Sequence, residues 1–439
     1  MTTIGSTQRC APAMSTSVKP SIQEKQRFMV SNLQRVHSLD DFEDMARRYL
    51  PRPLFGYVAG AVEDSTSLND NRAAFHEIGF IPRNVVDVSK RSTHTDLLGR
   101  RYAAPFGIAP MGISALTAYR GDLVQARAAR ARNIPMIMSG SSLIRLEDVA
   151  AECPDIWFQV YLPAESSKID ALIERVAGAG IGTLVLTVDS QILSNREHNL
   201  RAGFSTPLRP SLRLAWDGIT HPGWLFGTAL PTLMRHGMPH FENNYLERGA
   251  PILSRSVERD FGGRDHITWA HIKRVRRQWS GQLVVKGVMC AEDARFAREC
   301  GADGVIVSNH GGRQLDSTIS PMRVLASIVE QLDPVPVMID SGFRRGSDVL
   351  KAIALGAKFV FVGRPFNYAA AVAGQAGVER AIDLLSSEVH RNMGMLGLNN
   401  LEEISAEKIV PMAGYWEGGL REKRPTPEMA VNSCDMGLE

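Results

Sequence analysis

From Phe106 onward, short apolar runs alternate with longer segments whose apolar residues recur at helical spacing. The apolar runs predict strands at Phe106–Ala109, Pro135–Met138, Trp157–Tyr161, Thr183–Val188, Leu283–Lys286, Gly304–Val307, Val335–Ile339 and Phe359–Val362. The amphipathic segments between them predict helices, for example at Leu123–Arg132, Ser167–Ala177, Ala291–Cys300, Arg323–Gln331 and Ser347–Ala354. Because right-handed crossovers place every helix outside the strands, this alternation predicts a closed α/β fold, a (β/α)8 TIM barrel.

An open, doubly wound parallel sheet is the alternative arrangement for the same alternation. Its dinucleotide-binding form carries a GxGxxG sequence after the first strand, and none follows Phe106–Ala109. We therefore favour the barrel.

Two regions depart from this alternation. The segment from Ser38 to about Glu77 has a helical pattern, and the stretch from Ser190 to His266 is far longer than an ordinary barrel loop. We expect an N-terminal helical segment, a long loop after strand 4, and a disordered N-terminal tail. The predicted divisions are a tail at 1–37, a barrel domain at 38–415 with an insertion at 190–266, and a tail at 416–439.

Composition narrows the class of protein. With 439 residues, 44% of them hydrophobic and 22% charged, the chain can bury a sizeable core. A net charge of +3 gives no support to nucleic-acid binding. No run of apolar residues is long enough to predict a transmembrane helix. The five cysteines, which have no CxxC or zinc-like spacing, favour a reducing, cytoplasmic location without a metal site: Cys10, Cys153, Cys290, Cys300 and Cys434.

The insertion contains a strongly apolar segment, Gly223–Met234, with Arg201, Arg209, Arg213 and Arg235 around it. An apolar segment edged by arginine is typical of an interfacial membrane anchor. The alternative is an active-site lid that packs on its own barrel or on a neighbouring subunit. The first interpretation would place the protein at the inner face of the cell membrane.

Polar residues follow the predicted strands on one side only. Barrel enzymes place their chemistry at the C-terminal ends of the strands, so one shared site is predicted there. The residues at or just past those ends are Tyr161, Asp189, Lys286, His310, Asp340 and Arg364.

The most informative pair in this set is His310 and Arg313. An imidazole can act as a general base near neutral pH, and a guanidinium can bind a carboxylate with two hydrogen bonds. Gly311 and Gly312 let the backbone approach a ligand closely. A base beside a carboxylate clamp is what oxidation of a 2-hydroxy acid requires. Taken alone, such a pair more often belongs to a surface turn that carries a solvated histidine and arginine.

The segment Ser308–Asp316 resembles the active-site signature of the FMN-dependent L-2-hydroxy acid oxidising family, which includes glycolate oxidase, the flavin domain of flavocytochrome b2 and mandelate dehydrogenase. The similarity extends from about His37 to Ile409, and the long insertion looks most like membrane-associated mandelate dehydrogenase. The resemblance implies FMN as cofactor and oxidation of a mandelate- or lactate-like acid to the 2-oxo acid.

The resemblance also implies roles in catalysis and substrate binding. It makes His310 the base and Asp189 the carboxylate that orients it, and a carboxylate in that place would raise the imidazole pKa. It assigns the substrate carboxylate to Arg196, Arg313 and Tyr57, and the hydroxyl to Tyr161. The proton could leave the hydroxyl during hydride transfer or the α-carbon in a carbanion route. Taken alone, Asp189 could cap a helix, and either tyrosine could belong to the core.

The remaining matches concern the cofactor. Lys286 ends an apolar strand, where a lysine is costly unless it is paired, and it resembles the family lysine beside flavin N1 and O2. Barrels commonly bind phosphate in the loops after strands seven and eight. The resemblance implies polar contacts to the flavin from Ser139, Gln159 and Thr187, backbone contacts from Pro110, Met111 and Gly112, ribityl contacts from Asp340, and phosphate contacts from Gly342, Arg344, Gly363 and Arg364.

Two departures from the family pattern concern the pocket. The chain reads Pro110-Met111-Gly112 where the family usually has Pro-Thr-Ala or Pro-Thr-Gly, which removes one hydroxyl near the flavin. It has Ser141 where glycolate oxidases carry a tryptophan. The small residues Gly112 and Ser141 suggest a roomier pocket and a substrate larger than glycolate.

Three functional outcomes stay open at this stage. The electrons could pass to a quinone or a cytochrome, as in a dehydrogenase, or to oxygen, as in an oxidase that makes hydrogen peroxide. A repurposed flavoprotein that assists another enzyme is the third alternative, and its expected sign is loss of the His–Asp pair or of an arginine. The chain keeps all of these residues. We also expect a homo-oligomer.

Overall fold

Eight short parallel strands form the centre of the fold, which a computed structural model describes for residues 33–254 and 264–413. Neighbouring strands pair in sequence order, the last pairs with the first, and a bridge between Ile108 and Met136 joins the first to the second. The strands are β1 (Phe106–Ile108), β2 (Ile137–Ser139), β3 (Trp157–Val160), β4 (Thr183–Thr187), β5 (Gln282–Val288), β6 (Gly304–Val307), β7 (Val337–Ile339) and β8 (Phe359–Val362). The predicted (β/α)8 barrel is confirmed.

The barrel strands are apolar because both of their faces are covered. All residues of β4 and β6 are buried. Side chains from the strands, including Val185, Val284 and Ile306, form one core cluster. Leu97 and Tyr102 join this cluster from a hairpin made by Thr95–Leu97 and Arg100–Tyr102.

Helices follow the strands, as their amphipathic patterns predicted. Pro321 begins one of them at a position where its missing N–H costs nothing. The last helix changes direction at Gly374, whose φ is +57°. The helices after β1 to β8 are Ser114–Thr117, Gly121–Ala131, Leu146–Glu152, Ser166–Gly178, Trp269–Gln278, Ala291–Glu299, Pro321–Leu332, Gly346–Ala354 and Arg364–Met395.

The segment before the barrel is helical, as predicted. Its first helix begins at a capping box. The side chain of Ser38 accepts a hydrogen bond from the backbone N–H of Asp41, and the carboxylate of Asp41 accepts one from the backbone N–H of Ser38. Its elements are Leu39–Tyr49, Arg52–Ala59, Thr66–His76 and the strand Ile78–Phe80, which pairs antiparallel with Ile409–Pro411 after short 3₁₀ turns at Leu401–Glu403 and Ala406–Lys408.

The predicted long loop after β4 is present, and its described residues include several short helical segments. Pro222 and Pro231 lie in the first turns of helices, where proline is tolerated. Its elements are Glu197–Ala202, Leu212–Ile219, Pro222–Trp224, a π-helical turn at Leu225–Ala229, and Leu230–His236. Among the described helices, none combines the length and apolar character needed to cross a membrane.

The chain divides into two compact units, residues 1–37 and 38–439. The described end of the first unit is a turn in which the Val36 N–H donates to the Leu33 carbonyl. The rest of the predicted N-terminal tail, and the predicted C-terminal tail at 416–439, lie outside the described residues.

Candidate active site

A cavity of about 530 Å³ opens at the C-terminal ends of the barrel strands. Every barrel strand, or the loop that follows it, contributes residues to the cavity wall. This is the placement expected for a barrel enzyme. Among the predicted site residues, only Ser139, Gln159 and Asp189 do not line it directly. Those that do are Tyr57, Pro110, Met111, Gly112, Tyr161, Thr187, Arg196, Lys286, His310, Arg313, Asp340, Gly342, Arg344, Gly363 and Arg364.

His310 and Asp189 form a half-buried pair, although they come from the loops after β6 and β4. Nδ1 of His310 lies 3.0 Å from Oδ1 of Asp189. Burial lowers the pKa of His310 and outweighs the opposing charge of Asp189. Burial would raise the pKa of Asp189, but the interactions with His310 bring it to about 2. The pair therefore consists of a carboxylate and a neutral imidazole at neutral pH, as a general base requires.

The backbone at His310 is held in an uncommon conformation, with φ at +58°. Such a conformation in a residue other than glycine is strained, and it persists only where neighbours fix it. The His310 N–H donates to Oγ of Ser308, and the N–H of Gly311 donates to Oγ of Ser341. These bonds aim the imidazole at the cavity.

Arg313 and Arg196 reach the cavity from separate loops. Nη1 of Arg313 donates to the carbonyls of Tyr57 and Gly60, at 2.8 and 2.7 Å. Burial, followed by the charge of Arg196, lowers the pKa of Arg313 to about 9. Two guanidinium groups that repel each other in a buried site suit a ligand that carries a carboxylate.

The two tyrosines flank this group of charges. The Tyr57 ring lies between Phe204, at 4.5 Å between ring centroids, and the Arg313 guanidinium, at 5.0 Å. The Tyr161 ring stacks near His310, at 6.5 Å. Burial raises the pKa of Tyr161, and the charge of Asp189 adds to the effect. Its hydroxyl therefore stays protonated and can donate a hydrogen bond.

Lys286 is buried at the end of β5 and is paired, as its position required. Its Nζ lies 3.1 Å from Oδ2 of Asp340 and donates to Oγ of Ser308. Burial lowers its pKa, but Asp340 and Asp189 outweigh this, so the pKa is raised. The next residue, Gly287, has φ at +103°, and a Cβ there would lie 2.8 Å from that of Asp189. A glycine is thus required for Lys286 and Asp189 to share the site.

Two buried polar atoms near Lys286 test whether a flavin fits. Nε2 of Gln159 and Oγ1 of Thr187 have no hydrogen-bond partner among the described residues. The other amide atom of Gln159, Oε1, accepts from Oγ of Ser139 and from the N–H of Gly140. Buried polar groups are costly when unsatisfied, and a ring with carbonyl and imine acceptors would satisfy them. The residues fit the predicted flavin.

The far end of the cavity is positively charged. Arg344 is buried, and its Nε lies 3.2 Å from Oδ1 of Asp40. Each nitrogen of the Arg364 guanidinium donates to a backbone carbonyl, those of Val58, Gly60 and Gly311. Each terminal nitrogen carries a second N–H, so contact with a phosphate stays possible. Burial lowers the pKa of Arg364 to about 10.

Several residues at this site had no predicted role. Ser308 and Ser341 hold the His310 loop, and Gln314 bonds both Asp189 and Arg196. The only feature of the sequence that could have indicated a role for them is their position in or near the recognised motifs. Phe204 and Arg264 line the cavity from the insertion. No local pattern marked them, because their contribution depends on how the insertion folds back over the barrel.

The insertion also presents apolar side chains outward. Leu212 is 92% exposed, Trp216 66%, Phe226 67% and Met234 83%. Trp224, by contrast, turns inward, and its Nε1–H donates to the Leu116 carbonyl at 2.7 Å. One side of the segment thus packs on the protein, as the lid interpretation proposed, while the other side is apolar and exposed.

Comparison with known proteins agrees with this geometry. Residues 46–411 match the family described as FMN-dependent dehydrogenase. The chain is 37% identical over 383 residues to (S)-mandelate dehydrogenase of Pseudomonas putida, covering 86% of this chain and 94% of that protein. It is also 37% identical over 378 residues to L-lactate dehydrogenase of Caulobacter sp. (strain K31), covering 84% and 97%.

Solved structures show the same relationship. The structure of monotopic membrane protein (S)-mandelate dehydrogenase matches with a TM-score of 0.78 and 35% identity, covering 86% of this chain and all of that one. A variant of mandelate oxidase matches with a TM-score of 0.70 and 34% identity, covering 85% and 98%. The predicted cofactor, FMN, and the predicted enzyme class are confirmed. The chain belongs to the family of FMN-dependent dehydrogenases.

Proposed function

We propose that this protein oxidises an L-2-hydroxy acid to the corresponding 2-oxo acid, and that residues 38–415 form the catalytic unit. The observation that carries the proposal is the convergence of the His310–Asp189 pair and the guanidinium groups of Arg196 and Arg313 on one cavity. A 2-hydroxy acid presents a carboxylate and an acidic centre on adjacent carbons. These residues supply a partner for each.

The arginines bind the substrate carboxylate and orient the molecule. Arg313 uses Nη1 to hold the helix that carries Tyr57, which leaves Nη2 and Nε for a ligand. Tyr57 adds a hydroxyl on the same side, and Tyr161 donates to the substrate hydroxyl. A fixed carboxylate places the α-carbon and its hydroxyl beside His310.

His310 accepts the proton that the substrate loses. Asp189 accepts a hydrogen bond from Nδ1–H, so the other ring nitrogen, Nε2, carries the free lone pair. As the proton arrives, the Asp189 carboxylate stabilises the imidazolium. Bound FMN supplies the two-electron acceptor for the C–H bond that breaks.

FMN would be held along the length of the cavity. Lys286, Thr187, Gln159 and Ser139 would contact the ring, with backbone groups of Pro110, Met111 and Gly112 beside them, and Asp340 would bind the ribityl chain. The N–H groups of Gly342 and Gly363 and the side chains of Arg344 and Arg364 would bind the phosphate. Backbone N–H groups and arginines are the usual phosphate ligands in such loops.

The substrate carries a large apolar group on the α-carbon. The cavity wall includes the apolar residues Ile192, Leu193, Leu200 and Phe204. Ser141 is small, and this leaves room beside the α-carbon. Gly112 contributes less space than its size suggests, since a Cβ there would lie 3.1 Å from Cβ of Ser141 and 3.2 Å from Oη of Tyr57. An aryl group, as in mandelate, suits this wall better than the methyl group of lactate.

The acceptor that takes the electrons next is a membrane quinone, with the protein attached to the inner face of the membrane from the cytoplasm. The exposed apolar side chains of 212–234 support this, together with the likeness to a monotopic membrane protein. Oxygen is the second candidate acceptor, because the fold also matches that of mandelate oxidase.

The decisive experiment mixes the purified, FMN-loaded protein anaerobically with (S)-mandelate and, separately, with L-lactate. We expect the flavin absorbance to bleach, faster with mandelate. His310→Ala should keep its flavin and fail to bleach. A protein that takes up FMN and is reduced by neither acid would contradict the proposal. Stoichiometric hydrogen peroxide in air would assign oxygen as the acceptor.

A further inference from the structure

The side-chain amide of Gln314 joins the two halves of the site. Its Nε2 donates to the backbone carbonyl of Asp189 at 2.7 Å. Its Oε1 accepts from Nη2 of Arg196 at 2.5 Å and from Oγ of Ser194 at 3.2 Å. One amide therefore connects the residue that orients the base with a residue that faces the substrate.

Arg196 depends on this amide for its orientation. It lies just before the short helix Glu197–Ala202, on the connection that follows β4. Its guanidinium has two bonds to the protein, Nη2 to Gln314 and Nε to the carbonyl of Arg313 at 3.1 Å. Both acceptors belong to neighbouring residues of the loop after β6. Two bonds from adjacent nitrogens fix the plane of a guanidinium, and one bond leaves it free to rotate.

The chemistry of position 314 requires an amide. One end must donate to a carbonyl, and the other must accept from a cation and a hydroxyl. A glutamate would place a second acceptor against the Asp189 carbonyl, and a methionine of equal length would do neither. We propose that Gln314 is a positioning residue, which holds the Arg196 guanidinium in the plane that receives the substrate carboxylate and ties it to the strand end that carries Asp189.

This inference rests on the proposed function, and the test separates the two. The readout is the dissociation constant of phenylglyoxylate, the 2-oxo acid product of mandelate, measured through the perturbation of the flavin absorbance in the FMN-loaded protein. Gln314→Met should raise this constant about tenfold, because Arg196 loses one of its two anchors. KM for mandelate should rise in parallel, with a smaller fall in kcat.

A double-mutant cycle shows whether Gln314 acts through Arg196. In an Arg196→Met background, Gln314→Met should change the dissociation constant by less than about twofold. Gln191→Met is the matched control, since Gln191 lies in the same connection and its amide donates to the Ile267 carbonyl, outside the cavity wall. It should leave the constant within about twofold of the wild-type value.

Three results would overturn the inference: no change in Gln314→Met, an equal change in both backgrounds, or an equal change in the Gln191→Met control. If Gln314→Met fails to fold, Gln314→Asn, whose shorter side chain cannot span both partners, is judged by the same criteria. If mandelate reduces the wild-type protein but the Gln314 variants give one of these three results, the positioning role is rejected and the proposed function stands. Wild-type protein that is not reduced by either acid, and does not bind the product, removes both.

Discussion

Oδ1 and Oδ2 of Asp189 lie 3.0 and 3.2 Å from the same atom, Nδ1 of His310, so the carboxylate straddles the imidazole N–H. The carboxyl group also accepts a hydrogen bond from Oγ of Ser190 at 2.9 Å. This geometry fixes which ring nitrogen of His310 is free to accept a proton. It also makes the pKa of the base depend directly on the charge at position 189.

The first prediction concerns the pH dependence of this pair. The pKa of His310 is below its usual value, and the base must be neutral, so kcat/KM should fall only below pH 6.5. Asp189→Asn removes the charge that favours the imidazolium and should lower the pKa of His310 further. We therefore expect the acid limb to move to lower pH and kcat to fall about 10²- to 10⁴-fold, the range typical of general base catalysis.

The control for this prediction has the opposite sign. Ser190→Ala removes a donor from Asp189, which makes the carboxylate more basic and should raise the pKa of His310 slightly. The profile of kcat/KM against pH for the three proteins provides the measurement. An acid limb that stays in place in Asp189→Asn would show that His310 is not the group that titrates.

The second prediction ranks the two arginines. Both arginines are proposed to bind the substrate carboxylate, but Arg313 also donates to the carbonyls of Tyr57 and Gly60, whereas Arg196 donates to Gln314 and to the carbonyl of Arg313. Arg313→Lys should raise KM for mandelate at least about tenfold more than Arg196→Lys, because it loses the link to Tyr57 and Gly60 in addition to the guanidinium fork. If steady-state kinetics show the same increase in KM for both variants, the hydrogen bond from Arg313 to Tyr57 does not contribute to substrate binding.

Much of this arrangement follows from the sequence, for identifiable reasons. The barrel strands were predictable because each is an apolar run and most are followed by a polar residue, and β5 extends past its predicted end only through the bulge at Gly287. His310 and Arg313 were predictable because they are close in sequence. Arg196 was found through family resemblance alone, since nothing in the local pattern distinguishes it from other arginines of the insertion.

The insertion shows where the pattern is insufficient. Its apolar character predicted a contact surface, but not which side chains would face outward. Trp224 turns inward because Leu116 offers a carbonyl, while Trp216 stays exposed on the preceding helix. Both depend on how the segment docks on the protein, and that is a tertiary property that neither residue reveals locally.

The third prediction concerns FMN binding. Nε2 of Gln159 and Oγ1 of Thr187 are buried polar groups without partners among the residues described. If they contact the flavin, Gln159→Leu and Thr187→Val should each raise the FMN dissociation constant about tenfold, the effect of about one lost hydrogen bond. Fluorescence titration of the apoprotein measures this. Thr183→Val, at the other end of β4, is the matched control and should bind FMN like the wild type.

The fourth prediction concerns stability. Burial raises the pKa of Asp122 to about 7. A folded-state pKa above the unfolded value of 3.8 means that the folded protein holds this proton more tightly. The contribution of this carboxyl group to the free energy of unfolding is therefore fully present below pH 4 and is lost as the pH rises through 7. The total loss is about 4 kcal/mol. Asp122→Asn removes the titration and should raise Tm relative to the wild type at pH 8, with little difference at pH 4. A Tm difference that is the same at both pH values would contradict this.

The last prediction concerns the exposed face of the insertion. Trp216, Phe226 and Met234 expose most of their apolar surface, and burial of such surface in a lipid interface contributes about 25 cal/mol per Å². Replacing all three with serine should abolish cosedimentation with vesicles that contain anionic lipid, because the electrostatic attraction of nearby arginines alone is weak at physiological salt.

Val85→Ser and Met395→Ser, at other exposed apolar positions, form the control and should sediment like the wild type. The triple variant should still be reduced by mandelate in solution, since none of the three lines the cavity. A variant that keeps its affinity for the vesicles would exclude this face as the membrane contact, and one that loses reduction as well would show that the face supports the active site instead.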